Sequence, residues 1–202
     1  VWVWFKTTDS LSCLFTMHAA PVSATRDFLE LNLTTFSGSG NVRMKAWTSG
    51  GNVTLNSSTD GWADGAWHFL LAWWNATNMG LYMDGSDIGS RTSGGGQWNL
   101  NATREIDEYR FGNDSSGGNE IAGNLDEITV WGKDLGDATT AAALHAAKGG
   151  DVLNASTYGA GTDGSGDVKL WCRMGDGTEA GAGSTVYDMS GDANPADATL
   201  YN

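Results

Sequence analysis

The sequence predicts an all-β fold, a two-sheet antiparallel jelly-roll sandwich with one short helix near residues 135–148. About a dozen segments alternate apolar and polar residues with period two, and glycine-bearing turns separate them at roughly regular spacing. One late alanine-rich segment breaks that alternation. The 202 residues hold 29 Gly and 10 Trp against only 2 Pro, a composition that suits short strands joined by glycine turns and a core of useful size. No repeat of about 20–50 residues is present, which excludes a solenoid.

The chain opens on "VWVWFKT", with Val1, Val3 and Phe5 on one face and Trp2, Trp4 and Lys6 on the other, the pattern of a half-buried strand. "SCLFTMH" is the next candidate. In "FLELNLTTF", Leu29, Leu31 and Leu33 point inward, with Phe28, Glu30 and Asn32 outward. Across a "SGSGN" turn, "VRMKAWT" sets Val42, Met44 and Ala46 against Arg43, Lys45 and Trp47, so the two segments form a hairpin. "DGAWHFLLAWWN" is apolar on both faces, as in a central strand covered on both sides or one facing a lined cleft. "GLYMDGSDIGS" is a short strand with a tight turn at Asp84 and Gly85, where glycine supplies positive φ. "EIDEYRFGND" and "LDEITVWG" are two more strands, separated by "SSGGNEIAG". "DLGDATTAAALHAAKGG" ends in Gly-Gly and is the helix. A Gly, Ser and Asp connector over 149–167 leads to "VKLWCRMGDG" and a last stretch with returning strands. The expected organisation is a jelly roll over 1–150, with 151–202 as connector and C-terminal strands completing the same sandwich.

The formal charge of −13, with eleven Lys and Arg and no basic run, argues against nucleic acid and anionic membrane as partners. No apolar stretch approaches the roughly 20 residues of a membrane span, and no charged-then-apolar signal segment opens the chain. Cys13 and Cys172 lack the paired spacing of a zinc site; one disulfide or two buried thiols both fit. Asn32, Asn52, Asn56, Asn75, Asn101, Asn113 and Asn154 each begin an N-x-S/T sequon. That excess suits a glycosylated surface protein, and equally the Asn-, Ser-, Thr- and Gly-rich composition of fibre-like viral proteins that carry no glycan.

The succession "VWVWFKT", "DGAWHFLLAWWN", "LYMDG" and "NLDEITVWGKDL" before an alanine-rich helix resembles the laminin G-like, concanavalin A-type jelly-roll domain over roughly residues 1–150. The resemblance implies a sandwich that hosts lectins, receptors, capsid decorations and hydrolases. The tail "DVKLWCRMGDG…STVYDMSG" resembles a segment that follows such domains in bacteriophage structural proteins. The family's usual first strand is missing ahead of "VWVWFKT", so either the tail fills that place or an open edge invites another chain.

Catalytic readings find little support in the residues. His18, His68 and His145 stand alone in sequence without a nucleophile motif. Laminarinase-type relatives carry E-x-D-x-E on one strand face; here Glu105 and Asp107 fit, but Tyr109 takes the third position and Glu108 faces the other way. Asp126 and Glu127, adjacent on a strand, are expected to face opposite sides and so not to act as a dyad. A structural Ca²⁺ near Asp126 would suit hard oxygen ligands, although acidic turns without metal are commoner.

A binding surface of outward strand residues is the remaining candidate: Trp2, Trp4, Arg43, Lys45, Trp47, Arg110 and Trp131, with Trp62 and Trp98 on glycine-rich loops. Indoles stack on the apolar face of a pyranose, and Arg or Asn binds its hydroxyls. About half of these aromatics are expected under loops or at protein contacts, because jelly-roll sheets are often covered on one outer side. The expected function is a non-enzymatic surface or virion adhesion module, extracellular or on a virion, that binds glycan or neighbouring subunits in an oligomeric or filamentous assembly. A secreted cellular glycoprotein of an extracellular assembly and a carbohydrate-active hydrolase are the alternatives.

Overall fold

The computed structural model describes residues 1–18, 28–35, 40–48, 51–75, 77–92, 108–114, 118–132, 138–146, 168–172, 185–186 and 198–199. Their elements in chain order begin with β1 (Trp2–Thr7), β2 (Ser12–His18), β3 (Phe28–Thr34), β4 (Asn41–Thr48) and β5 (Gly51–Asn56). They continue through β6 (Trp67–Trp74), β7 (Asn78–Met83), β8 (Ser86–Thr92), β9 (Glu108–Phe111) and β10 (Gly123–Trp131). After these come α1 (Ala138–Ala146), β11 (Val168–Cys172), β12 (Thr185–Val186) and β13 (Ala198–Thr199).

The strands build a six-stranded sheet in the order β11-β10-β1-β6-β7-β8 and a five-stranded sheet in the order β5-β4-β3-β2-β9, with β12 and β13 paired apart. Every described pairing is antiparallel. This is the two-sheet sandwich that the alternation predicts. The inward set follows the period-two rule: Val3 and Phe5 of β1, Leu29, Leu31 and Leu33 of β3, and Val42 and Met44 of β4 are all fully buried in one cluster. Burying a side chain of this kind contributes about 1.5–3 kcal/mol. From the C-terminal part, β11 pairs with β10 and sends Leu170 and Cys172 into that core.

β6 is central and covered on both faces. Leu70 and Ala72 join the inter-sheet core, while Phe69 and Leu71 join a second buried cluster on the outer side of the six-stranded sheet. That outer cluster also contains Trp2, Tyr82, Trp131 and Trp171, and Ala141 of α1 is packed into it. Here the expectation of an open platform is corrected. Trp2 and Trp131 are 1% and 7% exposed, with ring centroids 5.1 Å apart. They do face outward from the sheet, but the helix turns that side into a second core.

The carboxylate pair at the mouth of β10 needs a second correction. Trp2 pairs with Thr129 but Trp4 pairs with Asp126, so β10 carries one residue more than β1 across this span, a β-bulge. Glu127 has φ of +49°, and its N–H donates to Asp126 Oδ1 at 2.8 Å. Its Oε2 accepts from the indole of Trp171, an outer-cluster residue, at 2.8 Å. Asp126 is in register with the outward Trp4, so both carboxylates serve the outer side rather than opposite faces.

Cys13 and Cys172 are both buried, with no disulfide between them. Burial pushes the Cys13 thiol up to about 12, which keeps it protonated and inert.

Candidate functional site

Two polar groupings stand out. The first lies at the β6 entrance and the β7–β8 turn. His68 Nδ1 is 2.8 Å from Asp84 Oδ2 and its Nε2 is 3.1 Å from Asp64 Oδ1. Asp84 Oδ1 accepts the Phe69 N–H at 2.8 Å and lies 3.7 Å from His145 Nε2 of α1. The motif pieces "DGAWH" and "LYMDG", distant in sequence, therefore meet through one histidine. Asp84 draws the His68 pKa upward against burial, with Asp64 adding to it. Burial raises the Asp84 carboxyl, but His68 and the Phe69 N–H outweigh it and hold it below the ordinary range. Both ring nitrogens are engaged by carboxylates, so His68 has none left to activate a nucleophile. This cluster joins elements; it is not a triad.

The second grouping is the outward face of the five-stranded sheet, and register assembles it. Asn56 of β5 pairs with Arg43 of β4, which pairs with Asn32 of β3. One step along, Thr54, Lys45, Glu30, Thr16 and Arg110 line up across all five strands. The next row holds Asn52, Trp47, Phe28, His18 and Glu108. Neighbouring strands lie about 4.8 Å apart, so each row is a ladder of polar groups at spacings that a bound chain of hydroxyls can bridge.

Thr16, His18 and Asn32 form a buried floor, while Glu30, Arg43, Lys45, Thr54, Asn56, Glu108 and Arg110 are half-buried around it. Several of these groups break the rule that buried polar atoms are paired. His18 Nδ1 and Nε2, Asn32 Oδ1, Arg43 Nε and Asn56 Oδ1 are buried with no hydrogen-bond partner among the described residues. His18 Nε2 is 3.6 Å from Glu108 Oε2, too long for a hydrogen bond. Asn32 Nδ2 donates to Glu30 Oε1, which fixes that amide with its oxygen unclaimed. Arg110 Nε holds Glu108 Oε1 at 2.5 Å, and this bond keeps the Glu108 carboxyl below the usual carboxylate range. Burial lowers the Lys45 pKa, with Glu30 opposing and the like charge of Arg43 reinforcing.

Of the residues singled out by sequence, this face brings together Arg43, Lys45, Arg110 and, by the backbone register of β4, Trp47. Trp4 is elsewhere, half-buried between Phe69 and His145 at 5.3 and 5.8 Å. Trp62 is half-buried, edge-on to His68 at 5.2 Å. Trp98, Glu105, Asp107, Asn101 and Asn154 lie outside the described residues, as do the side chains of Trp47 and Asn52. Sequence reasoning missed His18, Thr16 and Glu30 as site residues and took Asn32 and Asn56 as sequons alone. The signal was present in their outward register.

Asn32 is 5% exposed and its amide nitrogen is already used, so the folded protein does not present it for glycosylation. Asn56 and Asn113 are half-buried. Asn75 sits at the β6–β7 turn, where its Oδ1 accepts the Thr77 and Asn78 N–H groups. Asp126 Oδ1 accepts the Glu127 N–H, and no group of three or more His, Cys, Asp or Glu side chains placed to hold a metal occurs among the described residues.

With this geometry in view, comparison with known proteins defines the class. A laminin G-type model of the concanavalin A-like lectin/glucanases superfamily matches residues 1–141, and the chain belongs to that family. A proposed carbohydrate-binding protein from Bacteroides ovatus superposes with a TM-score of 0.63 at 12% identity, over 98% of this chain and 52% of that one. The chain thus spans about half the length of that protein. The CBM40 of the Ruminococcus gnavus IT-sialidase superposes with a TM-score of 0.52 at 17% identity, over 70% of this chain and 79% of that one. No curated protein sequence matches the chain significantly.

Proposed function

We propose that the protein is a non-catalytic carbohydrate-binding module whose ligand lies on the outward face of the five-stranded sheet. One observation carries this reading: the face holds buried donors and acceptors, Asn32 Oδ1, Arg43 Nε and Asn56 Oδ1, that have no partner among the described residues. An unpaired buried polar group costs about 1–3 kcal/mol. A ligand rich in hydroxyls, each both donor and acceptor, offsets several such costs at once. The role proposed for the Bacteroides ovatus protein of like fold agrees with this.

Catalysis is disfavoured by the same chemistry. A glycosidase needs one protonated carboxyl as general acid, and Arg110 instead holds Glu108 in its ionised form. The proposed setting is extracellular, as an adhesion module of a secreted assembly or a virion.

The test is a glycan array with the native chain, Asn32→Ala and Asn56→Ala. Each substitution is expected to weaken binding about tenfold, one hydrogen bond's worth, with an unchanged circular dichroism spectrum. Binding that survives both changes but disappears in Trp4→Ala would move the site off this face.

A further inference from the structure

We propose a second glycan contact, an open strip at one end of the six-stranded sheet where the Trp67 indole carries the apolar face of a neutral sugar ring and Lys6 and Asn124 bind its hydroxyls. The inference rests on the glycan-binding reading above and adds a second valence on the other side of the sandwich.

Register builds the strip. Trp67 of β6 pairs with Lys6 of β1, which pairs on its other side with Asn124 of β10. Two residues along, Trp4 pairs with Phe69 of the outer cluster, so by alternation the row faces outward as well. Two strand spacings of about 4.8 Å separate its ends, a span that one or two pyranose rings cover. All three side chains are open to solvent, Trp67 to 44%. The other indoles of this sheet are occupied: Trp2 packs on Trp131, Trp4 lies between Phe69 and His145 of α1, and Trp171 donates to Glu127. Trp67 has no ring contact, and the side chains of Trp67, Lys6 and Asn124 make no hydrogen bond or ion pair among the described residues. The strip thus begins where the cover of α1 ends.

Trp67 forgoes the burial free energy that its neighbours gain, yet its backbone is held in place. Asp64 Oδ1 accepts the Ala66 N–H at 2.7 Å and lies 3.1 Å from His68 Nε2, so one carboxylate fixes the residues on both sides of Trp67. A flat ring on a fixed backbone loses little freedom when a ligand covers it. The C–H face of a sugar stacks on such an indole. The Lys6 ammonium donates and the Asn124 amide both donates and accepts, which suits hydroxyls. Charge selects a neutral ligand. Asp126 stands opposite Trp4, the next outward position of β1 from Lys6, and the chain as a whole carries −13. The single Lys6 charge is therefore offset, and an anionic sugar gains little over a neutral one. Because the strip and the five-stranded face look in opposite directions, one module can hold two glycan chains.

Calorimetric titration with neutral hexasaccharides cut from β-glucan, xylan and mannan tests this. The native chain is expected to bind at least one of them through a site that the Asn32→Ala, Asn56→Ala double variant keeps. Trp67→Ala should weaken that site about tenfold or more, and Trp67→Tyr, which retains a flat ring, should stay within about tenfold of native. Each variant should show a native circular dichroism spectrum. Neutral-sugar binding that Trp67→Ala leaves unchanged overturns this inference and leaves the glycan-binding reading standing. The same holds if none of the hexasaccharides binds to a chain that binds other glycans, or if Trp67 instead proves to hold two copies of the chain together without sugar. Binding of no glycan by the native chain overturns both.

Discussion

On the six-stranded sheet the outward positions of β1, β6, β7 and β10 hold Trp2, Leu71, Tyr82 and Trp131, all buried. On the five-stranded sheet the outward positions of β3, β4 and β5 hold Asn32, Arg43, Lys45, Thr54 and Asn56. The same alternation places both sets away from the inter-sheet core. What separates them is cover and polarity. The aromatic face has a helix packed on it and stabilises the protein by burial. The polar face presents charged and amide groups around a buried floor, with unpaired atoms that a ligand would have to satisfy. Stability and recognition therefore occupy opposite sides of one sandwich, and substitutions should separate them.

The largest effect belongs to the aromatic face. Trp131→Ala removes an indole that packs on Trp2 and is expected to cost about 3–5 kcal/mol, read as a lower urea midpoint. Glycan affinity of the folded fraction should not change. A Trp131→Ala protein of native stability that no longer binds glycan would exchange the roles of the two faces. Gly80→Ala tests the same packing from the backbone side. A Cβ there would lie 2.4 Å from Trp73 Nε1 and 2.7 Å from its Cε2, and displacing that ring should cost about 1–3 kcal/mol, again without loss of binding.

Acidity gives an intermediate effect and acts on the cover of the aromatic face. Asp84 joins His68 on β6 to His145 on α1. The folded-state pKa of His68 lies above its ordinary 6.5, so its contribution is complete below that value and is lost as pH rises through the raised one. Asp84 and Asp64 lie below their ordinary 3.8; their contribution is present above 3.8 and lost as pH falls through the lowered values. The contribution of these groups should therefore peak between the ordinary aspartate and histidine values, 3.8 and 6.5. Urea midpoints from about pH 5 to about pH 9 should decline across the upper limb, and His68→Gln should flatten that limb. The polar face supplies the contrast, because Asn32→Leu should leave stability within about 1 kcal/mol of native, or raise it, while removing an acceptor from the ligand.

Much of the architecture was legible in the sequence. The alternation of "VWVWFKT", "FLELNLT" and "VRMKAWT" places Val3, Leu31 and Met44 where the structure buries them, and the two-sided apolar run of β6 marks a central strand. The alanine-rich segment forms the helix. The site was harder because alternation reports which face a residue takes, not what covers that face. Trp2 and Arg43 are both outward, yet among the described residues a helix packs over one side alone. Asn32, Arg43 and Asn56 become a row through cross-strand register, which couples segments that local pattern treats separately. The partners of His68 likewise come from different turns.

The bulge at Glu127 marks the limit of the period-two rule and carries the smallest expected effect. Its left-handed backbone costs a non-glycine residue about 1–2 kcal/mol, and the carboxylate's bond to the Trp171 indole offsets it. Glu127→Gly relieves the first term and forfeits the second, so the net change should stay under about 1 kcal/mol. In a Trp171→Phe background the indole donor is already gone, and the same change to glycine should then be more favourable than in the native background. Additive behaviour across that cycle would show that the carboxylate does not hold β11 at the margin of the aromatic face. A non-additive cycle with unaltered glycan binding would place the acidic pair among the groups that close this side of the sandwich, away from the ligand.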